Sequence, residues 1–295
     1  MNLSIILILC YLLTFIIGFI NSCGSAKFQY IKPDSKNAYN FYAIITAVIS
    51  IFNFSILCGF SPVISNFKVV ILAVIYSTAC CMSYRFNMIS LEKNGVFLTT
   101  ISSQIGTVVL PIIVSVIFLK ENINIITVIG AVFVILSSAV LVFGKQVTKL
   151  NPLILFVNIF ICALSTTCTK IFVKIDSAEN IVSFYWLINV IILVISVILF
   201  FAKSDKSSFK TELKQFKLKH YLLVILISTA SNIGGYISKI TLQHVEVIAN
   251  TIITTSLGLV TTAIVSYIFG EKLKLRHLIS IIFALISTIL PLIFV

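Results

Sequence analysis

The sequence predicts an all-α integral membrane protein, with ten transmembrane helices arranged as two inverted five-helix repeats. Three observations predict it: a composition too apolar for a water-exposed surface, ten apolar runs of spanning length, and an internal similarity at a shift near 150 residues.

Hydrophobic residues make up 59% of the 295 and charged residues only 10%, whereas a soluble domain is about a quarter charged. A soluble protein of this size would have nothing to cover its surface, and bilayer hydrocarbon is the solvent that accepts the excess. The 24 Phe suit that hydrocarbon and the 10 Tyr suit its edges. A net charge of +12 would suggest nucleic acid in a soluble protein. Here the lysines stand in short gaps between apolar runs, where they act as topology signals, and no nucleic-acid partner is expected. The seven cysteines show no metal-ligand or CxxC spacing and read as small buried hydrophobes. No cofactor or metal is expected.

The apolar segments cover about 3–22, 40–60, 67–90, 95–119, 123–143, 152–174, 180–202, 220–243, 246–269 and 276–294. Each is about long enough to cross hydrocarbon as a helix. Met1 and Asn2 supply no basic stretch and the first run continues to Ile20, which predicts a first helix and not a cleaved signal. Breakers or charges fill the gaps, as in Lys32-Pro33-Asp34, Ser61-Pro62, Glu92-Lys93-Asn94-Gly95 and Asn151-Pro152. The longest gap, 203–219, holds six lysines. None of the runs alternates at period two, which excludes a β-barrel.

Ile117-Phe118-Leu119-Lys120-Glu121 resembles Tyr267-Ile268-Phe269-Gly270-Glu271, 150 residues on. Ser77-Thr78-Ala79 matches Ser228-Thr229-Ala230, and Ser22 to Lys27 matches Ser165 to Lys170. Units of five helices place the second half in the membrane from the opposite side, an arrangement that secondary transporters use around a midplane site. The side formed by the gaps after segments 1, 3, 5, 7 and 9 and the segment ends beside them holds fifteen basic residues, and the other side five (Lys68, Lys120, Lys170, Lys174 and Lys239), with Arg85 inside segment 3 left out of the count. By the positive-inside rule the first set is cytoplasmic and both termini are outside.

A helix ending Leu119-Lys120-Glu121 before Gly130, and its counterpart Gly270-Glu271-Lys272-Leu273 before Ser280, resembles the EamA-type drug/metabolite transporter superfamily. The resemblance covers essentially the whole chain and divides it into EamA-like repeats at 1–146 and 147–295. It implies a multi-pass transporter of the cell membrane, monomeric or homodimeric, carrying amino acids, nucleotide sugars, phosphorylated sugars or drugs. It further implies a funnel lined by helices 1, 3, 4, 6, 8 and 9, and cytoplasmic termini, against the charge count. The family's Trp-Gly pair in helix 1 is replaced by Ile17-Gly18. Glu121 and Glu271, at the entrance to segments 5 and 10, read as carboxylate caps of helix N-termini.

Ionisable groups inside spans are functional candidates by default. They are Arg85, next to Tyr84, in segment 3, Lys170 in segment 6 and Lys239 in segment 8; snorkelling to the headgroups is the alternative for each. Polar side chains at helical spacing add Asn21 in segment 1, Gln104 in segment 4, Asn232 and Tyr236 in segment 8, and Asn250 and Thr254 in segment 9. Such faces either bond between helices or line a wet cavity. Ser102-x-x-x-Gly106 and Ser231-x-x-x-Gly235 read as close-packing motifs.

No Asp or Glu falls in the middle of a segment. Proton-coupled cation exporters hold a buried carboxylate there, in helix 1 for the small multidrug relatives, so a lipophilic cation is disfavoured. No catalytic constellation is present, and an enzyme is not expected. The expected function is secondary transport of small polar metabolites, zwitterionic or anionic, by alternating access. A multidrug cation exporter and a non-transporting membrane scaffold are the alternatives.

Overall fold

The computed structural model describes residues 3–31, 38–117, 124–142, 152–203, 206–269 and 275–293. Among these residues there are ten α-helices and no strand. The helices are α1 (Leu3–Ile31), α2 (Ala38–Leu57), α3 (Phe67–Ile117), α4 (Ile125–Val142), α5 (Pro152–Ile175), α6 (Ile181–Lys203), α7 (Lys206–Gln215), α8 (Leu218–Leu242), α9 (Val247–Ile268) and α10 (Leu275–Ile293). Five contain a stretch long and apolar enough to cross a membrane: α1, α2, α5, α6 and α8. Large apolar side chains face outward along them, for instance Ile8 and Leu12 on α1, Phe52 on α2 and Ile198 on α6. This is the surface of an all-α membrane protein, in which lipid replaces water around the helices.

Two elements differ from the sequence expectation. The 203–219 gap contains α7, a charged ten-residue helix. Its Phe209 packs against Phe41, Phe200 and Phe201, with ring centroids 5.5, 5.6 and 6.3 Å away. Lys210 and Lys214, one turn apart, stay exposed. Hydropathy overlooks such a helix because only one narrow face is apolar.

Segments 67–90 and 95–119 fall in a single 51-residue helical stretch, α3. A straight α-helix of that length would reach roughly 76 Å, more than twice the hydrocarbon thickness. It is not straight. The hydroxyls of Ser90 and Thr99 lie 2.7 Å apart, whereas nine residues of straight helix rise about 13 Å. Helix α5 gives the same answer. Cys168 and Phe172 share a core with Val69 and Leu72, and Asn158, four turns earlier, donates to Ser102 at 2.9 Å. Roughly 20 Å of α5 therefore covers what would be about 50 Å of straight α3. The chain reverses between Ser90 and Thr99, and α3 is two antiparallel limbs. In a background without the native cysteines, Ser90→Cys paired with Thr99→Cys should oxidise to an intramolecular disulfide, read as the loss of two hydrogens by intact mass. A straight α3 would leave both thiols free.

The helices pack in recurring pairs. Helix α1 lies against α8 and α9, while α5 lies against α3. Helix α2 packs on α6 and α8, α6 on α3, and α4 on α10. The N-terminal limb of α3 meets α6, where Ser77 donates to the Ile188 carbonyl at 3.0 Å. The C-terminal limb meets α9, where the Thr107 and Thr255 hydroxyls lie 3.3 Å apart and Val108 shares a core with Ile252 and Leu259. Between α4 and α10, Ser137 bonds both the hydroxyl and the carbonyl of Ser280, at 2.8 and 2.9 Å. In hydrocarbon, such hydroxyl bonds and close backbone contacts replace the hydrophobic effect as helix glue.

The backbones of α3 and α5 approach closely at Gly106, which is buried against the main chain of Ile159. A Cβ there would overlap the Ile159 carbonyl, so α3 and α5 would have to part. Gly106→Val should cost about 3 kcal/mol by overpacking. Thermal denaturation in detergent should register this as a midpoint about 5–10 °C lower.

Candidate functional site

A cavity of about 490 Å³ lies among α1, α2, the N-terminal limb of α3, α6 and α8. This volume is typical of small-molecule sites, which run from roughly 300 to 1,000 Å³. Along α2 it is lined by Tyr42, Thr46, Ser50 and Phe54, four residues at a spacing of four that share one face. From Tyr42 to Phe54 the lining runs about 18 Å along the helix. Helix α8 contributes Ser228, Ser231, Asn232, Gly235 and Ser238, again at spacings of three and four. Helix α1 adds Asn21 and Ser25, α3 adds Tyr76 and Cys80, and α6 adds Tyr185 and Asn189. Gly235 keeps the space open, because a Cβ there would come within 3.3 Å of the Phe54 and Tyr185 rings.

The wall is polar but, among the described lining residues, holds no Asp, Glu, Lys, Arg or His. It is also incompletely bonded. Asn21 Oδ1, Ser228 Oγ and Asn232 Nδ2 have no hydrogen-bond partner in the protein, although Ser228 is 1% and Asn232 4% exposed. Buried polar atoms are almost always paired, so several orphans on one wall mark a place where something else completes them. The lining amide of Asn189 is held differently, donating to the Tyr185 carbonyl one turn back at 2.8 Å.

Aromatic clusters stand at both ends of the cavity. Tyr42 belongs to one, with Phe28, Phe41, Phe200 and Phe216. Phe28 lies 4.7 Å from Tyr42 and Phe41 4.8 Å from Phe216, between ring centroids. His220 ties this end together. Its Nδ1 accepts from the Lys217 amide at 2.8 Å, and its Nε2 lies 2.6 Å from the Ile31 carbonyl at the end of α1. With Nδ1 accepting, Nε2 carries the proton and donates to that carbonyl. At the other end Phe54 joins Phe172, Phe184 and Tyr185, with Phe172 and Phe184 stacked at 4.2 Å.

Of the residues singled out in the sequence, the cavity brings together Asn21 and Asn232. Asn250 is helix glue, accepting from the Tyr11 hydroxyl at 3.1 Å. Thr254 donates to the carbonyls of Asn250 and Thr251 in its own helix. Tyr236 is 38% exposed and, like Lys239, does not line the cavity. Lys170 is 3% exposed and lies in a separate small cleft with Thr107, Pro111 and Thr251. Pro111 has no N–H to offer the Thr107 carbonyl, so the cleft is locally rich in acceptors. The side chains of Tyr84, Arg85 and Gln104, and residues Glu121 and Glu271, lie outside the described residues. The two small-residue motifs also diverge. Ser102 and Gly106 seal a helix contact, whereas Ser231 and Gly235 face the cavity.

Thr46 and Ser50 were missed. The signal was present in the Tyr42-Thr46-Ser50-Phe54 stripe, but Ser and Thr also bond their own helix carbonyls, which makes them ambiguous in sequence.

No family model matches the chain, and no curated protein matches it in sequence. A solved structure described as "Crystal structure of protein" resembles it with a TM-score of 0.70 and 11% identity, over 97% of this chain and 99% of that one. At that identity the likeness shows a shared fold and carries no function.

Proposed function

We propose that the protein is a secondary transporter of the cell membrane, carrying small polar solutes by alternating access between two inverted five-helix halves. The observation that carries this reading is the cavity itself. It lies between α1, α2 and α3 of the first half and α6 and α8 of the second, with unmatched polar atoms from both. Helix glue would have satisfied those atoms.

The helix pairings support the inverted repeat. Exchange α1 with α5, α2 with α6, the α3 limbs with α8 and α9, and α4 with α10. The contacts of α1 with α8 and α9 then become those of α5 with the two limbs. The α2–α8 contact becomes that of α6 with α3, and α2–α6 and α4–α10 map onto themselves. With α3 counted as two limbs, this gives ten crossings, consistent with the resemblance to EamA-type transporters. The aromatic clusters at the two ends supply the closures that alternating access requires. A lipophilic-cation exporter fits less well, because the described wall offers no carboxylate.

Purified protein in proteoliposomes tests the reading. Counterflow of a polar solute above empty-liposome leak supports it. Leak-level flux across sugars, amino acids and their phosphates would refute it.

A further inference from the structure

We infer that the cavity selects net-neutral, hydroxyl-rich solutes, of the size and chemistry of a sugar or cyclic polyol, over anionic and zwitterionic ones. This rests on the reading of the cavity as the transport site and departs from the charged cargo that the sequence suggests.

Charge is the first discriminant. A charged solute leaving water must be repaid by an opposite charge or by a dense set of bonds. The buried Lys170, the natural partner for an anion, sits in a different cleft. Lys239 is also absent from the wall. What the wall offers is a mixture of hydroxyls and amides. A hydroxyl both donates and accepts, and an amide presents one group of each kind. Asn21 presents an unmatched acceptor, Asn232 an unmatched donor and Ser228 a group that does either. Such a set matches a solute whose own groups are hydroxyls, each again a donor and an acceptor. It pairs poorly with a phosphate, which only accepts, or an ammonium, which only donates.

The second feature is the aromatic share of the wall. Phe54, Tyr76 and Tyr185 stand among the polar groups. Aromatic faces carry a negative quadrupole and suit the C–H face of a pyranose or cyclitol ring. Hydroxyl rims and ring faces are the two surfaces such a solute has.

The test measures binding apart from transport. Full-length protein in detergent is heated with 10 mM of a neutral sugar or cyclitol (glucose, galactose, myo-inositol), with glycine or alanine, or with glucose 6-phosphate. At least one neutral polyol should raise the melting midpoint by about 3 °C. The amino acids and the phosphate should not, and Asn232→Leu should abolish the shift. Stabilisation by the phosphate or an amino acid alone, no shift from any neutral polyol, or a polyol shift that survives in Asn232→Leu would overturn the inference. Counterflow of the same solutes separates the two claims. Flux confined to charged solutes sinks the selectivity and keeps the transporter. Polyol binding without flux keeps the selectivity and sinks the transporter.

Discussion

Asn232→Leu should lower solute flux in proteoliposomes at least tenfold while leaving the protein as stable as before, or slightly more so. The two effects have opposite signs for one reason. Asn232 is buried and its Nδ2 has no partner in the protein. A buried donor without a partner costs about 1–3 kcal/mol, and leucine fills a similar volume without that cost. If the donor exists to hold solute, its removal relieves the empty protein and penalises the loaded one. Asn158 is the control. It is fully buried too, but donates to Ser102 at 2.9 Å and to the Thr99 carbonyl at 3.4 Å. Asn158→Leu should cost about 2 kcal/mol, by orphaning those partners, with flux per folded molecule unchanged. Melting curves and counterflow on the two variants decide the matter. A destabilised Asn232→Leu with normal flux would make Asn232 helix glue like Asn158.

That contrast also shows how far the sequence could be read. Hydropathy located nearly every long helix, because lipid asks one question of a helix surface and composition answers it. It separated 67–90 from 95–119 through Glu92, Lys93, Asn94 and Gly95, where the structure instead carries helical backbone through as α3 while bringing Ser90 against Thr99. It passed over α7, whose burial depends on Phe209 meeting rings from α2 and α6. At the site, Asn21 and Asn232 were legible as amides on polar stripes. Asn250 looked identical, and only the position of Tyr11 across the α1–α9 contact makes it structural. Whether a polar side chain meets a neighbour or a void is a property of the packed pair of helices, which neither helix encodes alone. The lysines misled for a related reason. Lys170 is deeply buried as expected of a functional charge, yet its direction from α5 takes it toward Pro111 and away from the cavity.

The other large effect concerns motion. Phe41 at the start of α2 and Phe216 just before α8 belong to opposite halves, and their rings meet edge to face at 4.8 Å. Both are almost fully buried. With Phe28 and Tyr42 they close the cavity at the end where α7 also docks. Alternating access requires this contact to break once per cycle if solute leaves by this end. Phe41→Cys with Phe216→Cys, in a background free of native cysteines, and bridged by a short bismaleimide, should therefore reduce flux to the empty-liposome level. Either single variant treated with the same reagent should keep most of its flux, since a lone adduct spans no interface. Polyol binding in detergent should persist in the bridged protein, because the bridge fixes one end and leaves Asn21, Ser228 and Asn232 untouched. Normal flux after verified bridging would mean that this cluster is a permanent seal. The exit would then lie at the opposite end, between Phe54, Phe184 and Tyr185, where the same experiment on α2 and α6 applies.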